Sequence, residues 1–351
     1  MAEKVLGVDF GSGGIKLAEL HRGKDAVTVA RQGFVPLPAG LVAGGAPDHE
    51  RLEEVSQELK AYLSLEKFTA REAVMGINGA DAVFANRCRV PWHSKGDLHA
   101  ALSYDLKADP SLLTGSPEGA ILDMVVFGED VDEDGKKTLD GLLCGVAPLL
   151  VADQMQILKK AGLTVVGADL NALALLRATR IQARPEGILD ILVDVGSDVL
   201  TVVVHENGKP YSITLVPDRA GANATKQIGE ALEDDDFETA ERLKASNSPD
   251  HKVQSALGDG RYAIGRAMEE VLRGYAEARG TRHRFASITL AGAGSLLPRL
   301  DEELSQHFRI PATQAIYDDA VSGDGLMEYW NGAVTDADLR SAVGLGLGVL
   351  N

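Results

Sequence analysis

At 351 residues, 45% of them apolar and 25% charged, the chain is long enough to build two lobes, each around its own core. Its formal charge of −17 supplies no basic stripe to displace counterions, which argues against a general nucleic-acid surface and against a broad electrostatic membrane patch. Cys88 and Cys144 are the only cysteines, too few for a disulfide framework and without a CxxC partner, so both read as small buried hydrophobes in a reducing cytoplasm.

Residues 1–4 run directly into the first strand and leave no room for a signal peptide. The longest apolar run, 141–152, contains Pro148 and is too short to span a bilayer. The first strand runs through Val5, Leu6 and Val8 to Asp9, turns through Gly11, Ser12, Gly13 and Gly14, and returns through Ile15 and Lys16. At a shift of 185 positions Val8, Asp9, Gly11, Ser12, Gly23 and Lys24 fall without a gap on Val193, Asp194, Gly196, Ser197, Gly208 and Lys209. A glycine turn of this kind presents backbone N–H groups to phosphate oxygens, and the acid before it can hold Mg²⁺ through water. D-x-G turns also occur in ordinary hairpins, and one copy would carry little. Two copies that share the distal Gly-Lys turn favour a pair of hairpins clamping a nucleoside triphosphate from both sides.

After the first hairpin a third strand is expected over 26–34, then a Pro- and Gly-rich loop to Gly45. Leu52, Val55, Leu59 and Leu63 recur at helical spacing, which predicts an amphipathic helix over 48–65, followed by a short strand over 73–77. From 82 to about 163 the pattern becomes a small α+β module: strand 83–90, helix 97–106, strand 120–127, an acidic turn over 129–137, strand 138–146 and helix 149–161 closed by Gly162. The acidic run lacks the ligand spacing and closing glutamate of an EF-hand, and reads as a solvated hairpin tip. A strand over 163–166 leads into Gly167-Ala168-Asp169-Leu170-Asn171 and a helix to about 180. Beyond the second hairpin come strand 211–215, helices 221–232 and 237–244, a long helix over 261–278, a buried strand over 288–291 opening into a Gly-rich turn, a helix near Leu300, and a last helix over 333–346.

This ordered set resembles the actin-like ATPase superfamily, and within it the PilM family of type IV pilus assembly proteins, relatives of the cell-division protein FtsA. Asp9-Phe10-Gly11-Ser12, with Lys16 in an I-K-L continuation, resembles the first phosphate motif, and Asp194-Val195-Gly196-Ser197 the second. Ala291-Gly292-Ala293-Gly294-Ser295 is similar to the adenosine motif, Gly344-Leu345-Gly346 to the second connecting helix, and 167–178 to the first. The module at 82–163 has the order of the subdomain specific to PilM and FtsA. Thr225, Ala240-Glu241 and Lys244 resemble a further family stretch, with Gly221 in its glycine pair. Ala220 and Ala293 stand where the family has glycine.

The resemblance implies a two-lobed α/β fold of duplicated ribonuclease-H-like domains: 1–81 with 164–186 and 335–351 as the first lobe, 82–163 as the insertion, and 187–334 as the second lobe, with 222–284 its smaller nucleotide-side part. It implies ATP as cofactor, held by Gly11, Ser12, Gly13, Lys16, Gly196, Ser197, Gly221, Gly292, Gly294 and Ser295, with Mg²⁺ at Asp9 and Asp194. Glu241 and Lys244 would contact the ribose, although an acid and a cation three apart on one helix face also form plain surface pairs. Asp169 and Asn171 sit where the superfamily places a water-positioning residue, and Asp169 reads equally well as a helix N-cap. The implied function is an ATP-binding scaffold with slow or absent turnover at the inner face of the cytoplasmic membrane. Its implied partners are the N-terminal cytoplasmic segment of a PilN-like membrane protein and other pilus assembly proteins including motor ATPases, with self-association left open. The alternatives are an FtsA-like filament protein, against which the chain stopping at Asn351 without an amphipathic tail counts, and a small-molecule kinase on the same fold.

Overall fold

The computed structural model describes residues 3–24, 26–38, 40–92, 102, 116–234, 236–279, 284–316 and 336–350. Strands β1 (Lys4–Gly11) and β2 (Gly14–Arg22) form an antiparallel hairpin with Asp9 opposite Lys16, and β3 (Val27–Pro36) continues the sheet beside β2. Where the sequence suggests only a loop, β4 (Val42–Ala43) and β5 (Ala46–Pro47) make a two-rung hairpin too short to leave a periodic signal. A 3₁₀ turn at His49–Arg51, capped by Asp48, leads into α1 (Leu52–Leu65), which buries the expected Leu52, Val55, Leu59 and Leu63 stripe. Crossing over through α1, the chain enters β6 (Glu72–Ile77), parallel to β1 with Gly76 beside Asp9.

Strands β7 (Val83–Pro91), β8 (Ile121–Val131) and β9 (Lys137–Val146) follow, then helix α2 (Pro148–Lys160). The helix expected at 97–106 lies outside the described residues, apart from residue 102. Strand β8 extends four residues past its expected end, so Glu129 and Asp130 are strand residues. In the turn itself the Asp132 carboxylate accepts the N–H groups of Asp134 and Lys136. Strand β10 (Thr164–Leu170) and helix α3 (Asn171–Ala178) return to the first sheet, whose order is β10-β6-β1-β2-β3.

Beyond a connection over 179–187, β11 (Ile188–Val195), β12 (Val199–Glu206) and β13 (Lys209–Pro217) repeat the meander. Helices α4 (Gly221–Leu232), α5 (Phe237–Ala245) and α6 (His251–Arg279) precede β14 (Arg284–Ala291), α7 (Leu300–Phe308), β15 (Ala312–Gln314) and α8 (Asp336–Leu350). Helix α6 starts ten residues before its expected position. Gly258 and Gly260 weaken the local helical signal there, but a Cβ on Gly260 would lie 2.7 Å from the Ala224 Cβ, so its glycine lets α6 close on α4. The first three residues expected in the last helix, 333–335, lie outside the described residues.

The second sheet has the order β15-β14-β11-β12-β13-β7-β9-β8, so its first five strands repeat the arrangement of the first sheet. Strands β7, β9 and β8 extend it through one ladder rung, Ser212 beside Asn86. Next to that rung Arg87 pairs with Asp140 and lies 4.0 Å from the centroid of the Tyr211 ring.

Alternation along the central strands sorts the cores. Leu6, Val8 and Phe10 share a cluster with α1 and α2, while Val5 packs with Ala174, Ala342, Val343 and Leu345 of α3 and α8. Helix α8 lies so close to β1 that a Cβ on Gly7 would overlap the Ala342 carbonyl, and one on Gly344 would overlap Ala174. On β11, Ile191, Val193 and Val195 face α4 and α6, and Leu192 joins the cluster that contains Leu175 and Leu176 of α3. Asp9 and Asp194 therefore both project from the sheet faces that turn toward the connecting helices.

Candidate functional site

At the end of β1, Gly11 and Ser12 are half-buried and Gly13 is exposed. The backbone N–H groups of Ser12 and Gly13 have no hydrogen-bond acceptor among the described residues, and the same holds for Ser197 and Asp198 in the second turn. Bare N–H pairs at a strand end form a concavity for an anion. The first half reaches the second of these turns through a different loop: the Gly44 N–H, in the β4–β5 turn, faces the Asp198 carboxylate at 3.5 Å.

Asp9 is 2% exposed, and its carboxylate is held by three side chains. Asn171 Nδ2 donates to Oδ1 at 2.5 Å, Ser341 Oγ donates to Oδ2, and the Lys16 ammonium lies 3.3 Å from Oδ2. A buried carboxylate is stable only with such donors. Three distant segments, β2, α3 and α8, supply them, so the acid is positioned by the whole first half of the fold. Ser341 had no local signal in the sequence, since a single serine in a helix carries none.

The two residues considered for water positioning go separate ways. Asn171 is spent on Asp9, whereas the Asp169 carboxylate accepts from the Arg177 guanidinium at 2.8 Å and from the Leu170 N–H at 2.8 Å. Arg177 in turn donates to the Gly344 carbonyl on α8 at 2.7 Å. The N-cap reading of Asp169 does not hold: Asp169 is the penultimate residue of β10, and Leu170 occupies the cap without a side-chain bond.

In the second half the site residues converge. The Gly221 and Ala222 N–H groups donate to the Gly196 and Ser197 carbonyls at 2.9 and 2.8 Å, so the first turn of α4 fixes the second glycine turn. A Cβ on Gly221 would lie 3.1 Å from the Gly196 oxygen, 3.4 Å from Gly294 Cα and 4.0 Å from Lys244 Nζ. Three backbones thus meet at this point, and a Cβ on Gly221 or Gly294 would press on the Gly196 carbonyl. The turn after β14 starts with Gly292 at φ 77°, where a Cβ would collide with the Asp194 carboxylate. Ser295 is buried, and its hydroxyl donates to Gln314 Oε1 at 2.9 Å while Gln314 Nε2 donates back to the Ser295 carbonyl at 2.9 Å. Gln314 escaped the sequence reading because β15 is only three residues long.

Glu241 and Lys244 are more than a surface pair. Lys244 Nζ lies 2.6 Å from Glu241 Oε1, 2.7 Å from the buried Thr225 hydroxyl and 3.3 Å from the Gly221 carbonyl, which ties α5 to the glycine junction. Ala220 and Ala293 do not crowd that junction: Ala220 is buried in the core beneath α4 with Ala224 and Ile228, and Ala293 is exposed. Bare N–H pairs, a glycine junction with no room for a Cβ and a flanking ammonium are together a donor set suited to a polyphosphate. Two acids at the strand ends suit a hydrated divalent cation.

The family described as type IV pilus assembly protein PilM matches residues 7–317. The solved PilM-PilN type IV pilus biogenesis complex superposes with a TM-score of 0.78 at 19% identity, over 100% of this chain and 99% of that one. The ethanolamine utilization protein EutJ from Carboxydothermus hydrogenoformans superposes with a TM-score of 0.54 at 14% identity, covering 99% of this chain and 90% of that one. MreB 5 of Spiroplasma citri bound to AMPPNP gives 0.52 at 11% identity, with 98% and 95% covered. These likenesses make the fold a two-lobed actin-like one. With the duplicated acid-and-glycine turns, the inserted strands and a family match over most of the sequence, the chain belongs to the PilM family of type IV pilus assembly proteins.

Proposed function

We propose that this protein is a nucleotide-dependent scaffold of pilus assembly that holds ATP with Mg²⁺ between its two sheets and captures the N-terminal cytoplasmic segment of a PilN-like membrane protein. The observation that carries the nucleotide half is the matched pair of bare N–H turns, Ser12-Gly13 and Ser197-Asp198, on two sheets of the same strand order. In this reading Gly11, Ser12, Gly13, Lys16, Gly196 and Ser197 take the phosphates, while Gly221, Glu241 and Lys244 take the ribose side. Gly292, Gly294 and Ser295 back the base, and Asp9 and Asp194 hold Mg²⁺ through water. The bound triphosphate with its cation supplies charge that ties the halves together.

Fast hydrolysis needs a polar side chain free to orient water in line with the terminal phosphate. Asp169 is engaged by Arg177 and Asn171 by Asp9, so the nucleotide serves as a structural and switching ligand. The likeness to a solved PilM-PilN complex supports the peptide half, because the same fold is there seen with that partner. Attachment to the inner face of the cytoplasmic membrane then runs through the partner. Contacts with other assembly proteins, motor ATPases and further copies of the chain would build on the same scaffold.

Isothermal titration tests both halves, with Mg²⁺–ATP and with a synthetic peptide of the PilN-like partner's cytoplasmic N-terminus as titrants. Wild type is expected to bind both, Asp9→Ala and Lys244→Ala to lose nucleotide affinity, and Lys244→Ala to keep the peptide. Nucleotide affinity unchanged in both variants overturns the cleft assignment, and peptide binding with no nucleotide affinity in wild type confines the protein to scaffolding.

A further inference from the structure

A cavity of about 560 Å³ opens at the other end of the second sheet, between the 180–184 connection and the face formed by β11, β14 and β15. Asp190, in its wall, precedes Asp194 by four residues on β11, about 13 Å at ~3.3 Å per residue, so the cavity is separate from the glycine turns.

Asp190 is the only acid among the described lining residues, and it is neutralised: Arg184 Nε lies 3.2 Å from Oδ2, and Ser287 Oγ donates to Oδ1 at 2.7 Å. What remains is an excess of donors. The exposed Arg180 guanidinium has no acidic partner among the described residues. Thr289 and Thr313 are neighbours in the β14–β15 ladder, and neither hydroxyl makes a hydrogen bond to another described residue. His205, 1% exposed, sits opposite Asp190 with Nδ1 accepting the Gly208 N–H at 3.4 Å. That bond leaves the ring proton on Nε2, which finds no acceptor among the described residues. Burial pushes this histidine down to about 4, against the pull of Asp190, so the ring stays neutral. A buried donor without an acceptor and a guanidinium without an acidic partner, lining the same cavity, ask for an anion. Ile181 and Ile316 add an apolar flank, and the volume is that of a small-molecule site.

We propose that this cavity binds a small organic anion, with Arg180, Thr289 and Thr313 taking its carboxylate or phosphate head and Ile181 and Ile316 taking its apolar body. The proposal is independent of the nucleotide reading, although Gln314 lines this cavity and also holds Ser295 of the Gly292–Ser295 turn.

Ligand-observed NMR and calorimetry on the full chain test it, with hexanoate and hexyl phosphate as probes and hexanol and hexylamine as controls. At millimolar concentration one or both acids are expected to bind, their comparison naming the preferred head, and the controls are not. Arg180→Ala, a change at an exposed side chain, is expected to weaken the acids about tenfold. Asp9→Ala and saturating Mg²⁺–ATP are expected to leave them unchanged. Failure of both acids to bind, hexanol binding as well as hexanoate, insensitivity to Arg180→Ala, or competition by ATP would each overturn the proposal.

Discussion

Asn171 reaches Asp9 across the bare backbone of Gly76. In the first sheet Asp9, Gly76 and Asp169 stand side by side on β1, β6 and β10, and a Cβ on Gly76 would overlap the Asn171 amide oxygen. Gly76→Ala is therefore expected to displace Asn171, strip one donor from the buried carboxylate and cost about 2 kcal/mol. Urea unfolding measures the loss. Nucleotide affinity should fall with it, while Val74→Ala on the same strand should reduce stability alone.

Ser341→Ala removes the hydroxyl donor to Asp9 without creating a large void. The expected cost is about 1–3 kcal/mol, the penalty for leaving part of a buried charged group unsatisfied. If Asp9 meets Mg²⁺ through water, the variant should also need more Mg²⁺ for the same ATP affinity. A titration at several Mg²⁺ concentrations reads this, and an unchanged dependence counts against the metal role of Asp9.

Close packing of α8 on β1 makes Gly7 intolerant. A methyl there must push the helix off the strand, because the Ala342 carbonyl already fills the space. Gly7→Ala is expected to destabilise by about 3 kcal/mol, while Gly13→Ala, whose Cβ would meet nothing within 4 Å, should stay within about 0.5 kcal/mol in the apo protein. Thermal unfolding of the pair gives the comparison.

His205 makes the fold sensitive to acid. Burial lowers its folded-state value to about 4, below the usual 6.5, so the unfolded chain takes up a proton that the folded chain refuses. The contribution is fully present above about pH 6.5 and is lost as pH falls toward 4, by about 3 kcal/mol across that window. His205→Gln should flatten this part of the stability curve, as measured by denaturant midpoints from pH 7.5 to 4.5.

What the sequence made legible was local or repeated. The two hairpins announce themselves because strand, acid and glycine turn are contiguous, and α4 shows its start and stop in its own residues. Lost from view were features created by distant packing: the first turns of α6, masked by glycines that exist to meet α4; the three-residue β15; and Ser341, whose importance lies wholly in its distance to Asp9. Asp169 misled because its position resembles a cap, whereas its partner Arg177 lies two turns along α3. Convergence of Gly196, Gly221 and Gly294 is a fact of the folded backbone, which spacing along the chain does not encode.

Asp9 and Ser341 are 332 residues apart. On a ribosome Asp9 emerges on the order of tens of seconds before this hydroxyl donor. Until then Asp9 lacks that donor, so the buried acid of the first sheet is completed only after the strands of the second sheet have been made.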